Sequence, residues 1–298
     1  MPILSEMKNA LKKIYQFIPL KKELFSVIKY FWVPPHSVYK HLHFNGVFKV
    51  KLPDGTAFLL RNHNSEIEND IFWKGLTQGW EKASMKLWME LCKNANVIFD
   101  IGANTGIYTI AAKTQQQEAT VYAFEPLQRV MDKLKKNVTL NGFTVECVKK
   151  ALSDKTGKAI IYEIDAELIN AATLNEKTGT AGQLHKQTEI DTITLDDFIE
   201  EKKIKKIDLM KIDVETHEPQ VMKGFEKYLP VLKPTFLIEI LTDEIGEKLE
   251  PFFAPLGYLF FNIDDKNDKI RKVEKLTHSD HFNFLICLPE TANKLGLN

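Results

Sequence analysis

The stretch Val97-Ile-Phe-Asp-Ile-Gly-Ala-Asn-Thr-Gly106 decides the fold. An apolar, β-type run ends at Asp100 and Ile101, and Gly102, Asn104, Thr105 and Gly106 then turn the chain into a helix starting near Ile107. Glycine lets a backbone approach a ligand where a Cβ would clash, and asparagine tolerates left-handed geometry better than most residues. The turn is built to receive a ligand at the carboxyl end of a strand. A glycine turn with Asp100 as a plain helix cap is the competing reading.

Working outward, the next strand, Val121-Tyr-Ala-Phe-Glu125-Pro126, ends in an acid 19 residues after Gly106. That is where a carboxylate accepts hydrogen bonds from ribose hydroxyls, and Pro126 suits the first position of a following helix. Spacing and charge narrow the ligand. A pyrophosphate site asks for G-x-G-x-x-G, whereas this turn reads G-x-x-x-G behind an acid. A carboxylate at the strand tip repels pyrophosphate and attracts an ammonium, which favours S-adenosylmethionine over a nicotinamide dinucleotide. Asp100 and Glu125 thus flank one glycine turn from successive strand tips.

From that turn onward, apolar β-type runs at 97–101, 120–124, 144–149, 207–212 and 235–241 alternate with helical runs at 106–116, 127–140, 217–228 and 243–254. Such alternation means an α/β fold whose parallel sheet is covered on both faces. Late strands at 257–262 and 282–288 leave no room for further crossover helices, so an antiparallel finish is expected. The polar stretch 165–187 is too long for an ordinary connection and reads as a lid or substrate loop, or equally as a surface excursion.

Upstream, Pro53-Asp54-Gly55 between two alternating runs marks a β-hairpin, and residues 64–93 read as helical around Trp73, Trp80, Leu87 and Leu91. Residues 1–34 carry six lysines against two glutamates, and Leu24, Phe25, Ile28, Phe31 and Trp32 share the spacing of one helical face. This basic amphipathic helix is expected to pack on the body or a second subunit, with peripheral membrane contact as the rarer outcome. The division expected is an N-terminal extension, 1–93, and a ligand-binding domain, 94–298.

The chain has 298 residues with 40 Lys+Arg against 40 Asp+Glu, a zero balance that gives no whole-molecule field for polyanions, so nucleic acid is not an expected partner. Cys92, Cys147 and Cys287 lack the paired spacing of zinc sites and suit a reducing, cytoplasmic setting. No secretory cleavage pattern or bilayer-length apolar run is evident.

With these pieces in view, the sequence resembles the FkbM-type methyltransferases of the Rossmann-like, S-adenosylmethionine-dependent class. The matching segments are Phe99-Asp-Ile-Gly-Ala-Asn-Thr-Gly106, Tyr122-Ala-Phe-Glu-Pro126, Ala151-Leu-Ser-Asp154 with Gly157, Lys211-Ile-Asp-Val-Glu215 with Glu218 and Gly224, and Asn283-Phe-Leu285. The resemblance implies a seven-stranded, mostly parallel sheet with an antiparallel last strand, and methyl transfer to oxygen on a sugar, glycolipid or glycosylated metabolite. By matching positions, Asp100, Gly102, Asn104, Thr105 and Gly106 would line the methionine side of the cofactor, Glu125 the ribose, and Ser153 or Asp154 the adenine edge. Asp213 would face the transferring methyl.

An alcohol nucleophile needs a general base or a metal, and the candidates for base are His217, Asp213 and Glu215. Asp213, Glu215 and Glu239 could also gather as oxygen ligands for magnesium or calcium, but a salt-bridged acid cluster is favoured and no metal is assigned. One departure stands out: Thr216 occupies the place where the family carries glycine, and a β-branched residue is poor where positive φ is needed. The competing functions are therefore a binding module that has lost its chemistry, an RNA methyltransferase and a nicotinamide-dependent oxidoreductase. The acceptor is expected to be a small molecule or glycan, and an oligomer is allowed for.

Overall fold

The computed structural model describes residues 19–164, 172–173 and 185–297. Helix α1 (Lys21–Phe31) and a short helix α2 (His36–Tyr39) lead into the hairpin β1 (Asn45–Lys51) and β2 (Ala57–His63). Its turn forms as the residues dictate, with Gly55 at φ 87° and Asp54 Oδ1 accepting from the Thr56 amide at 2.9 Å. The helical stretch that follows is broken in two, α3 (Glu66–Lys74) and α4 (Lys82–Cys92). The break is held by Asp70, whose Oδ2 accepts from the Trp80 amide at 2.6 Å and whose other oxygen takes the Tyr39 hydroxyl. A buried carboxylate so satisfied fixes the loop that carries Trp80 and Glu81.

The main sheet then builds through β3 (Val97–Ile101), α5 (Ile107–Gln115), β4 (Thr120–Phe124), α6 (Gln128–Leu140) and β5 (Glu146–Val148). A smaller sheet follows, β6 (Ala151–Leu152), β7 (Gly157–Ile164), β8 (Ala172–Thr173) and β9 (His185–Ile193), in the order β6-β9-β7-β8. Most of the lid expected at 165–187 lies outside the described residues. After α7 (Leu195–Lys202), the main sheet resumes with β10 (Leu209–Ile212), α8 (Glu218–Lys223), α9 (Leu229–Leu232), β11 (Thr235–Glu239), α10 (Asp243–Phe253), β12 (Leu259–Asp264), β13 (Lys269–Val273) and β14 (Asn283–Cys287); α11 (Pro289–Lys294) closes the described elements.

The main sheet runs β13-β12-β14-β11-β10-β3-β4-β5, with β3, β4, β5, β10 and β11 parallel and β14 inserted antiparallel between β11 and β12. Seven of the strands make the mostly parallel sheet with an antiparallel last strand, β14, that the resemblance implies; β13 is an addition, paired antiparallel on the edge of β12. The chain leaves β3 toward β4 and β5, then returns to β10 on the other flank. The gap between the tips of β3 and β10 is a topological switch point, where open α/β sheets bind ligands.

Alternation along the strands assigns the faces. Phe99, Ile101, Met210, Ile212, Phe236 and Ile238 face one core, with α7, α8 and α10. Ile98, Leu209, Leu237 and Leu285 face the other, which holds α5 and residues of α1, α3, α4 and the hairpin. The N-terminal segment thus covers one face of the sheet.

Candidate active site

Strand pairing sets the polar residues in a row. Lys211 lies opposite Asp100 in register, and the two-residue period places both on the face covered by α4 and α5. Asp213 and Glu239 follow two residues beyond Lys211 and Leu237, at the carboxyl edge of that face. Lys211 is buried among them: its Nζ stands 2.7 Å from Asp213 Oδ2 and 4.4 Å from the centre of the Tyr108 ring. Burial pulls its ammonium down, but the Asp213 and Glu81 carboxylates outweigh burial and hold it above its ordinary value. Tyr108 donates its hydroxyl to Glu81, which sits at φ 44° just ahead of α4.

These residues line a cavity of about 400 Å³ that spans the switch point. One end of it is the loop after β3. Gly102 adopts φ 81°, and a Cβ there would stand 1.8 Å from the Asp213 carbonyl oxygen, so the strand tips close up only around glycine. Asn104 takes φ 49°, as its residue type permits, and its Oδ1 is buried without a partner among the described residues. The Thr105 carbonyl accepts from Asn137 Nδ2 at 2.9 Å, and Gly106 opens helix α5, whose N-terminal dipole faces the loop. Asp100 is buried and accepts from Thr109 Oγ1 at 2.5 Å. Burial pushes its carboxyl up, against the Thr109 hydrogen bond and the Lys211 charge.

Glu125, buried at the tip of β4, lines the same cavity and is fixed by the Leu127 amide, which donates to Oε1 at 2.9 Å. Beyond it the wall is apolar, with Phe124, Leu127, Ala151, Leu152 and Ile161. Ser153 and Asp154 fall just outside this lining. Ser153 Oγ instead lies 3.0 Å from His217 Nε2, and His217 reaches the cavity. Burial lowers the His217 imidazole to about 4.

After β10 the chain makes an unusual turn. Glu215 and Thr216 both adopt positive φ, 53° and 79°. Thr216 thus holds a left-handed backbone that suits glycine better, at a local cost of about 1–2 kcal/mol. The buried Glu218 carboxyl secures the turn, with Oε1 accepting from the Val214 amide at 3.1 Å. Burial raises Glu218 to about 8, and raises Glu215, beside Asp213, to about 7.

A cation could be held by Glu81, Asp213 and Glu239, each offering an oxygen within 4.8 Å of the others. Glu81 stands in this group where the sequence suggested Glu215. Burial and the neighbouring carboxylate of Asp213 lift Glu239 to about 10, and burial lifts Glu81 to about 7. Sequence reasoning gave no site role to Trp80, read only as an apolar helix anchor, nor to Glu81, Tyr108 or Lys211, whose ammonium is buried here. The available signal was a lysine inside the otherwise apolar strand Leu209-Met-Lys-Ile212.

The strand order, the switch-point cavity and the paired acids define the Rossmann-like class I methyltransferase fold. The FkbM methyltransferase domain matches residues 100–269, more than half of the chain, and the protein belongs to that family. Among curated relatives, the hexuronic acid methyltransferase AglP of Haloferax volcanii is 30% identical over 149 residues, covering 50% of this chain and 58% of that protein. The 31-O-demethyl-FK506 methyltransferase FkbM of Streptomyces tacrolimicus is 29% identical over 155 residues, covering 44% of this chain and 60% of that protein. The match therefore spans less than two thirds of either relative. A solved methyltransferase FkbM from Methylobacillus flagellatus aligns at 14% identity and a TM-score of 0.41, covering 64% of this chain and 43% of that one.

Proposed function

We propose that the chain transfers the methyl group of S-adenosylmethionine to a hydroxyl of a sugar, glycolipid or glycosylated small molecule. The observation that carries this reading is that Asp100 and Glu125, on adjacent strand tips, line one cavity around a glycine turn. The donor set fits the cofactor end to end. The orphaned Asn104 oxygen and the Asp100 carboxyl suit an ammonium, the α5 N-terminus suits a carboxylate, Glu125 suits a ribose diol, and the apolar wall suits a purine. When bound, the cofactor supplies an electrophilic methyl on a sulfonium.

What the chain itself adds is position and proton acceptance. In-line geometry in a water-poor cleft supplies about 7–11 kcal/mol of barrier lowering. Of the candidate bases, Glu215 suits the role best, since it lines the cavity and burial brings its proton affinity to about 7. Asp213 is committed to Lys211, and His217 faces Ser153. The names of the two curated relatives, one acting on a hexuronic acid and one on a 31-O position, support an oxygen acceptor. Thr216 at positive φ is compatible with a working loop, so the alternative of a lapsed binding module is separated from this reading by the turnover assay below. A cytoplasmic setting accords with three free cysteines.

The test is incubation of the purified chain with S-adenosylmethionine and glycan-containing extracts, read by mass spectrometry for a methyl gain. Glu215→Gln should abolish that gain while keeping cofactor binding. Products methylated on nitrogen or carbon alone would refute the oxygen assignment.

A further inference from the structure

Helix α1 is apolar on two sides. Phe25 turns inward against Phe44 and Trp73, and Ile28 packs beside it. At about 100° per residue, Leu20, Leu24, Val27 and Phe31 fall on a different stripe, and all four are exposed. The stripe continues into exposed Trp32 and Val33, and Tyr30, Phe31 and Trp32 are 84%, 81% and 59% exposed. The single face read from the sequence is thus split, with Phe25 and Ile28 inside and Leu24, Phe31 and Trp32 outside. Contiguous apolar surface of this kind marks an interaction site rather than ordinary exposure.

The charge around the stripe indicates what it meets. Leaving aside Lys29, which turns inward to the Phe72 carbonyl, residues 19–41 hold Lys21, Lys22 and Lys40 against Glu23, a surplus of two positive charges in a chain whose net charge is zero. A second copy docked face to face would set this surplus against itself. An anionic bilayer complements it: lysines are drawn to the headgroups, the aliphatic stripe enters the acyl boundary, and tyrosine and tryptophan settle at headgroup level.

We propose that α1 and residues 30–33 form a peripheral anchor lying in the plane of an anionic membrane surface. The anchor does not span, since no helix among the described residues is long and apolar enough to cross a membrane. It is joined to the wall of the cavity. Lys29 Nζ donates to the Phe72 carbonyl of α3, whose start at Glu66 and Ile67 lines the cavity, and His36 Nε2 stands 3.7 Å from Glu66. The bilayer would therefore lie beside the α3 wall.

The test is co-sedimentation of the full chain with extruded phosphatidylcholine vesicles, with and without about 30% phosphatidylglycerol. The wild-type chain should pellet with the anionic vesicles and several-fold less with pure phosphatidylcholine or in about 0.5 M salt. The double variant Phe31→Ser, Trp32→Ser should lose about tenfold or more in partitioning, with an unchanged thermal midpoint because both side chains are exposed. Wild-type protein staying in the supernatant with anionic vesicles, or a double variant that pellets as well as wild type, would overturn the proposal. So would light scattering that shows a dimer dissolved by the same variant without vesicle binding, which would give the stripe to a second copy.

Discussion

Replacing Gly102 by alanine tests the geometry of the switch point. The substitution carries two costs. An L-residue at φ 81° loses about 1–2 kcal/mol relative to glycine. The added Cβ would also stand 1.8 Å from the Asp213 carbonyl oxygen, which belongs to backbone and not to a flexible side-chain end. Parting β3 from β10 enough to relieve it adds about 1–3 kcal/mol, as overpacking does elsewhere. Two other glycines separate these costs. Gly55 has φ 87° with nothing within 4 Å of its would-be Cβ, so Gly55→Ala should cost only about 1 kcal/mol. At Gly106 the Cβ would meet Leu134 Cδ1 at 2.3 Å, a side-chain end that can yield, which places Gly106→Ala between the two. Urea unfolding of the three variants at constant m-value should rank them Gly55, Gly106, Gly102, the last losing about 3 kcal/mol or more. Gly102→Ala within about 0.5 kcal/mol of Gly55→Ala would refute the close approach of the two strand tips.

Three further outcomes are expected. Thr216→Gly should raise stability by about 0.5–1 kcal/mol, since relief of the left-handed backbone exceeds the entropy glycine adds to the unfolded chain; a lower thermal midpoint would show that the threonine side chain contributes more than its strain costs. Glu218 has a folded affinity raised from 4.5 to about 8, so its stabilising contribution is complete below about pH 4.5, is lost progressively as pH rises, and is gone above about 8. Glu218→Gln should flatten the decline in denaturant midpoints between about pH 4.5 and 8, and an unchanged slope there would contradict it. His217, lowered to about 4 by burial, should stay neutral down to about pH 5, so its ring resonances in NMR should not move between pH 8 and 6; a midpoint near 6.5 would mean that the imidazole is solvated.

The sheet was legible because its signals are local. Apolar runs, the turn of Gly102 and Gly106 and the Pro126 start each fix one element, and alternation does the rest. The short strand β13 was not, since Lys269-Ile-Arg-Lys-Val273 is a polar edge strand with little alternation to read. The break between α3 and α4 was missed because it depends on the Asp70 carboxylate reaching Trp80 and Tyr39, contacts that no periodicity reports.

In the site, Asp100, Gly102, Asn104, Thr105, Glu125, Asp213, Glu215 and His217 all line the cavity, because a strand tip at the sheet's carboxyl edge is a position that sequence order alone defines; Gly106 falls just behind the lining, at the start of α5. Glu81 and Trp80 come from a loop outside that order, and only packing brings them to Asp213 and Glu239. Thr216 shows the limit in the other direction. Its residue type left open an ordinary backbone or a different loop, and the turn secured by Glu218 holds it at positive φ.

Titration calorimetry with S-adenosylmethionine tests the central claim most directly. One cofactor should bind per chain at micromolar concentration, and Glu125→Ala should weaken binding by about tenfold to a hundredfold through loss of the diol contacts. An absence of heat from the folded wild-type chain, or a Glu125→Ala variant that binds as tightly, would contradict the assignment of this cavity to the cofactor.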